Sequence, residues 1–374
     1  MGPRQRTIEA LTFGTPDRIP FEPGGPREST LRAWRTGGLP EGAGWHEHLL
    51  ETLGIVPEAT KPPVHLGVDF RMIPQFPEKV LSHRDGHTIV QDWKGNVCEI
   101  SDEFDVTYLR HAKDFVTRRW LRCPVATRDD WERMKARYVV DAPGRFPADF
   151  AARCTAAAGR DTMLTIAFPG PFWQMREWCG FEALCLLTID QPDLVAEMAA
   201  FWGDFVAAVL ERICARVVPD RVFLSEDMAY KAKAMISPAM TREFCMPCWV
   251  RWSRLLREAG CPIIDMDSDG YVGELIPIWI ESGINVCDPI EVAAHNDIRA
   301  FRERWGRAIA FRQGVDKRAI AKGGKVLRDE LRRIEPVVRS GGYIPGCDHG
   351  VPPDISWPNF VDYARLLAKM TGWL

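Results

Sequence analysis

The chain has 374 residues, 46% hydrophobic and 26% charged, proportions that exclude a disordered or collagen-like polymer. Forty-eight Lys and Arg against 51 Asp and Glu leave a formal net charge of -3, which provides no electrostatic footprint for nucleic acid or an anionic membrane surface. No uncharged apolar run reaches the ~18 residues of a membrane helix, and the stretch from Met1 to Glu9 lacks the apolar centre of a secretory signal, so the cytoplasm is the expected location.

Residues 4–13 form a short amphipathic stretch, closed by the breaker series Gly14-Thr15-Pro16-Asp17-Arg18. An extended piece at 19–22 runs into the loop Pro23-Gly24-Gly25-Pro26. Helical spacing follows at 45–53. Residues 64–70 and 88–92 read as short strands. Turn signals at Gly86 and Lys94-Gly95-Asn96 mark 80–100 as a hairpin excursion. From about residue 161 the pattern is regular. Apolar runs at 163–168, 221–225, 262–266, 284–287, 308–312 and 342–344 alternate with helical stretches at 194–217, 238–259, 273–281, 298–305, 317–339 and 360–370. Strand–helix alternation predicts a parallel sheet covered by helices. Those six runs, with 19–21 and 64–70, make the eight strands of a (β/α)8 TIM barrel carrying an N-terminal extension and the hairpin, one domain over 1–374. An open doubly wound sheet is the alternative, but neither a G-x-G-x-x-G turn nor a Walker-type phosphate loop is present.

In a barrel the chemistry sits where strands end. There this sequence places Glu22 and Arg27; Asp69 and Arg71; Pro169-Gly170-Pro171-Phe172-Trp173-Gln174; Glu226, Asp227 and Tyr230; Asp265, Asp267 and Asp269; Asp288; Arg312-Gln313-Gly314; and Cys347-Asp348-His349. Any one of these acids serves equally well as a helix N-cap; the set as a whole is not explained that way. Asp265, Asp267 and Asp269 alternate, so on an extended segment they share a face and need a cation, a proton or donors. The spacing resembles an EF-hand opening, yet Ile276 occupies the twelfth position where Glu is required. Cys347 and His349, two apart on a Gly/Pro-rich loop, suit a metal or an acid/base pair.

Other features read as structural. The eleven cysteines are an odd, scattered set, and the Cys245-Met246-Pro247-Cys248 pair lies in a helical stretch beside Trp249 and Trp252, where core packing is expected. His46, His48, His83, His87, His111 and His295 are expected at the surface, and the basic stretches 302–307 and 322–333 as solvated helix faces.

Several motifs together resemble the uroporphyrinogen decarboxylase superfamily, which includes cobalamin-dependent methyltransferases. They are Arg6-Thr7-Ile8-Glu9-Ala10-Leu11 with Pro16-Asp17-Arg18-Ile19-Pro20, Leu66-Gly67-Val68-Asp69-Phe70, Ser225-Glu226-Asp227-Met228-Ala229-Tyr230, Ile236-Ser237-Pro238, Asp267-Ser268-Asp269-Gly270, Gly314-Val315-Asp316-Lys317-Arg318, and the stretch from Gly341 to Asp354 around Cys347-Asp348-His349. The resemblance spans most of the chain and implies a TIM barrel. In the decarboxylases an Arg-rich loop after the first strand holds substrate carboxylates; here that region reads Glu22-Pro23-Gly24-Gly25-Pro26-Arg27-Glu28, without paired arginines. In the methyltransferases a His-x-Cys pair and a late Cys hold zinc. Those places fall on Asp267, Asp269 and Cys347, a harder donor set that leaves zinc and an empty site both open.

The resemblance thus implies a methyltransferase or demethylase-like enzyme acting on a small methylated donor or acceptor, with a corrinoid supplied by a partner protein and a homodimer at most. It implies Asp267, Asp269 and Cys347 as metal ligands and His349 or Glu226 as the proton carrier. Asp69 and Arg312 position substrate, and Phe172, Trp173 and Tyr230 wall the pocket. Two rivals stand beside it. One is a cofactor-free carboxy-lyase of the porphyrin type, stabilising a pyrrole cation with Asp69. The other is a non-catalytic binder of a ligand or corrinoid protein.

Overall fold

Each β-branched and aromatic run of the second half becomes a strand, and the amphipathic stretches between them become its covering helices. The computed structural model describes residues 1–102, 109–110, 116 and 118–374; His111 lies outside these. The first part holds α1 (Pro3–Leu11), α2 (Glu28–Thr36) and α3 (Trp45–Leu53). A four-stranded antiparallel sheet follows, β1 (Lys79–Arg84), β2 (His87–Gln91), β3 (Val97–Ser101) and β4 (Arg118–Arg122), paired in that order. The expected hairpin is β1–β2, turning at Asp85-Gly86 with both residues at positive φ. Then come α4 (Arg128–Lys135) and α5 (Phe150–Ala158).

The second part runs β5 (Thr165–Pro169), α6 (Pro171–Cys179), α7 (Phe181–Asp190), α8 (Pro192–Cys214), β6 (Arg221–Ser225), α9 (Pro238–Met240), α10 (Met246–Ala259), β7 (Ile263–Asp267), α11 (Ile276–Glu281), β8 (Val286–Asp288), α12 (Ile298–Trp305), β9 (Ala310–Val315), α13 (Lys317–Lys322), α14 (Gly324–Arg339), β10 (Tyr343–Cys347) and α15 (Trp357–Thr371). Between α9 and α10 the chain makes a wide π turn over Thr241–Cys245. Pro247 lacks the N–H that would close the ordinary turn there. The expected helix over 317–339 is two, because Gly323 and Gly324 both take positive φ, at 63° and 54°.

The six strands β5 to β10 pair in parallel and in chain order, so every connection is a helix-bearing crossover between neighbours. The expectation of eight paired strands is corrected here. Residues 19–22 and 64–70 run extended beside the two ends of the sheet but join no ladder among the described residues. On one side Cys347 N donates to Pro23 O, and a parallel bridge links Pro26 and Val351. On the other, the Phe70 ring stacks on Phe168 of β5 at 4.8 Å. Pro20, Pro23 and Pro26 have no N–H for a ladder, and Gly67 turns its segment with φ 71°.

Inner and outer faces are told apart by what each row packs against. Ile263, Val286, Ala310 and Ile344, near the strands' N-terminal ends, form a cluster with Ala10 and Leu11 of α1. The α1 helix therefore floors the sheet and leaves the strands' C-terminal ends for a site. Arg6, 2% exposed, fixes α1 by bonding Asp17 and Glu58. The outward rows belong to the main core, where α8 meets α10 through Trp252 Nε1 donating to Gly203 O at 2.9 Å. Cys245 and Cys248 are buried there, as expected, with thiols pushed above their ordinary value by burial. No helix among the described residues is long and apolar enough to cross a membrane.

Candidate functional site at the strand C-termini

Side chains alternate along a strand, so the floor residues fix what lies above them. Above Ile263 come Asp265 and Asp267; above Val286 comes Asp288; above Ala310 comes Arg312. Arg221 of β6 reaches the same inner face and pairs with Asp265 at 2.5 Å. Arg312 forks between Asp288, at 2.7 Å, and Glu22, and Gln313 Nε2 donates to Asp288 at 2.8 Å. Two guanidiniums thus offset the cost of burying these carboxylates. Burial would raise the Glu22 carboxyl, but Arg312 outweighs it and holds Glu22 below its ordinary value. Burial prevails at Asp288, pushed up to about 6. Asp267 has no guanidinium; burial, with Asp288, Asp269 and Asp265 nearby, pushes it up to about 8. Asp265 Oδ1 and the Nε atoms of Arg221 and Arg312 are buried without a hydrogen-bond partner.

The rim above carries a second constellation. His349 Nε2 lies 2.9 Å from Asp269 Oδ2, and its Nδ1 lies 3.1 Å from Arg27 Nη2. A guanidinium only donates, so Nδ1 accepts and the ring proton sits on Nε2, directed at Asp269. The Asp269 hydrogen bond raises the imidazole's affinity for a proton; burial, Lys317 and Arg27 oppose it. Asp348 holds this loop, accepting from Val292 N at 2.9 Å and Lys317 N at 3.1 Å. Asp227 pairs with Arg176 at 3.0 Å. Asp227 and Gln313 take φ of 42° and 64°, backbone strain of roughly 1–3 kcal/mol each concentrated at strand ends.

Two cavities open on this side of the sheet. One, of about 610 Å3, is lined by Asp69, Arg71, Trp93, Lys94, Tyr138 and Trp173, among others. The other, of about 430 Å3, is lined by Glu22, Gly24, Arg312, Gln313 and His349, with His46 and Trp45 at its edge.

The site residues expected from sequence therefore divide. Asp267, Asp269, Arg312 and His349 are on the inner face and rim. Asp69 and Trp173 line the larger cavity, where both Asp69 oxygens accept from Arg71 at 2.8 Å. Phe172, 1% exposed, belongs to the main core. Tyr230 stands on the surface, 57% exposed, against Phe181. Glu226 is fully buried behind the sheet, accepting from Trp249 Nε1 at 2.8 Å and Trp173 N at 3.1 Å.

Cys347 requires a correction. Ile344 faces the floor, so by alternation Gly346 faces inward and Cys347 outward. Cys347 is buried in the main core with Val315 and Tyr363, and burial pushes its thiol up to about 12. Asp267, Asp269 and Cys347 do not meet. Among the described residues no group of three or more His, Cys, Asp or Glu is arranged to hold a metal ion. The donor set read from the motifs does not fit zinc, and no chemistry is derived through it.

Arg221, Arg176, Tyr138 and Lys94, the partner of Glu177 at the larger cavity, were not legible as site residues. Arg221 opens a strand rather than closing one. Tyr138 lies between helices, outside any motif.

The chain shares its fold with a methyltransferase from Methanosarcina mazei: 98% of each chain is covered, with a TM-score of 0.58 and 13% identity. At that identity the likeness concerns the fold alone. A B12-independent methionine synthase from Shewanella sp. W3-18-1, in complex with selenomethionine, matches over 61% of this chain and 67% of its own, at 13% identity. Its TM-score of 0.41 is too low to carry an argument. No protein-family model matches the chain, and no curated protein matches it in sequence.

Proposed function

We propose that this protein is a methyltransferase that works at the C-terminal rim of its parallel sheet. In this reading residues 19–22 and 64–70 complete a (β/α)8 barrel around the site. The observation that carries the proposal is the meeting of His349 with Asp269. These residues come from two separate motifs, 80 positions apart, and lie 2.9 Å from each other beside an open cavity. The fold shared with a methyltransferase supports the reading.

Methyl transfer away from an oxygen or nitrogen leaves that atom basic, and it must take up a proton. Asp269 holds one His349 proton on Nε2, so Nδ1 is the acid–base position: the imidazolium, which Asp269 favours, gives its Nδ1 proton to that atom in place of the contact with Arg27. A thiol acceptor reverses the demand, and the neutral imidazole, its Nε2–H held by Asp269, takes the thiol proton on Nδ1. Asp267, high enough to hold a proton near neutrality, keeps the inner face from accumulating further negative charge. A corrinoid carried by a partner protein would be the source or the recipient of the methyl group. Glu226 is too deeply buried to touch substrate and is not assigned a role.

The test uses the whole chain with free methylcobalamin and cob(I)alamin as probes, against a panel of thiols, methylated amines, alcohols and aryl methyl ethers. Methyl movement is read from the cobalamin spectrum. Wild type is expected to transfer with at least one member of the panel. His349→Gln should slow transfer ~100-fold or more without changing the urea midpoint. A panel with no spectral change, beside measured release of carbon dioxide from uroporphyrinogen, would replace this reading with the carboxy-lyase.

A further inference from the structure

The larger cavity has a chemistry of its own. Its charged lining residues are two acids and two bases, Asp69, Glu177, Arg71 and Lys94, and they are paired with each other. Arg71 forks onto both oxygens of Asp69, and Lys94 closes on Glu177. No net charge is left to attract an ion. The ring faces are also supplied with cations. Arg71 and Lys94 lie 5.6 and 5.4 Å from the Trp93 ring centre, and Arg176 lies 4.3 Å from that of Trp173. An organic cation entering here would meet these charges instead of an empty aromatic cage.

One polar group remains unspent. The Tyr138 hydroxyl, on a residue 5% exposed, accepts from Trp178 Nε1 at 3.0 Å and from Gln174 Nε2 at 3.2 Å. Both lone pairs are used, so the hydroxyl's single proton has no acceptor among the described residues, and the residue lines the cavity. Turning the Gln174 amide over would exchange the roles and still leave the pair one donor to offer. Around it stand Phe70, Trp93 and Trp173. A volume of about 610 Å3 accommodates a small ring with its substituents.

We infer that this cavity takes a neutral, flat aromatic molecule that presents an acceptor oxygen to Tyr138. A ring stacks against Trp93 and Trp173, and the oxygen receives the phenolic proton as a hydrogen bond. This deepens the proposed methyltransferase reading, on which it rests for calling the molecule a substrate; the binding itself does not require turnover.

The experiment measures equilibrium binding to the whole protein by tryptophan fluorescence and calorimetry. The probes are 1,2-dimethoxybenzene, benzoate, benzyltrimethylammonium and methoxycyclohexane. The dimethoxy ring is expected to bind at least tenfold more tightly than the other three. Tyr138→Phe should weaken it about tenfold, and Trp93→Ala by a similar factor. Tyr138→Phe leaves two donors without an acceptor and is destabilising. Trp93→Ala, at the turn between β2 and β3, therefore serves as the second variant. Equal or tighter binding of either charged probe overturns the inference. So does the absence of binding by the aryl ether, or full affinity in folded Tyr138→Phe and Trp93→Ala. Binding of the aryl ether without methyl transfer upholds the cavity assignment and counts against the reaction. Transfer confined to molecules this cavity does not bind has the opposite meaning.

Discussion

Glu226 offers the sharpest test of the electrostatics. It is fully buried, and burial pushes its carboxyl from an ordinary 4.5 up to about 8, although Trp173 N and Trp249 Nε1 both donate to it. A carboxyl whose folded value exceeds its unfolded value binds its proton more tightly in the native state. Its stabilising contribution is therefore complete below 4.5 and is lost as pH rises through 8. At 1.36 kcal/mol per pH unit, the interval from pH 5 to pH 8 corresponds to a loss of about 4 kcal/mol. Glu226→Gln matches the protonated acid in shape and never ionises. Its amide turns one N–H toward a donor, a pH-independent cost of about 1–3 kcal/mol. Urea unfolding of both proteins from pH 5 to pH 9 separates the two effects. The variant begins less stable, gains on wild type by about 1.4 kcal/mol per unit, and overtakes it before pH 8. Two stability curves that stay parallel across this range would refute the reasoning, since Glu226 would then titrate as in the unfolded chain.

Cys347→Ala is expected to cost about 1–2 kcal/mol of stability as a lost core contact, leave bound metal unchanged by elemental analysis, and remove no thiol that a labelling reagent can reach in the native protein. Asp220, 2% exposed, joins Arg4, Arg160 and Leu164 N. Asp220→Asn should cost about 3–5 kcal/mol in urea by leaving guanidiniums unpaired. Burial opposes ionisation of Asp220, but its arginines hold it below 3.8, so this stability is present above that value and fades as acid protonates the folded protein. Asp269→Asn removes the largest influence raising His349, so its imidazole should titrate at lower pH by proton NMR; an unmoved titration would separate the two residues. With Asp269 present, the His349 contribution is complete below its unfolded value of 6.5 and declines as pH rises.

The regular half of the molecule was legible because strand and helix periods differ so clearly. All six runs from 163 onward became parallel strands, and most ends moved by only a few residues. The strand expected at 64–70 failed because Pro62, Pro63 and Gly67 interrupt the backbone that a ladder requires. The helix over 317–339 broke at paired glycines of positive φ, the first of them packed close to Asn359. At the site, Asp269 and His349 were found because their motifs are local. Cys347 was misplaced because motif correspondence fixes a position along the strand but not the face it presents. One residue of alternation separates the inner surface from the core. Tyr138 gave no sign, since its significance lies in two hydrogen bonds from α6, formed only after folding.

Ile19 donates to Thr371 O, and Trp373 Nε1 donates back to Ile19 O across 354 positions of sequence. The apolar face of the floor helix likewise packs against residues far along the chain, Ile263, Val286, Ala310 and Ile344. During folding, then, the backbone of Ile19 stays unsatisfied until Thr371 and Trp373 reach it. Such a molecule cannot be consolidated piece by piece. It is latched once, late, when the two stitched segments meet.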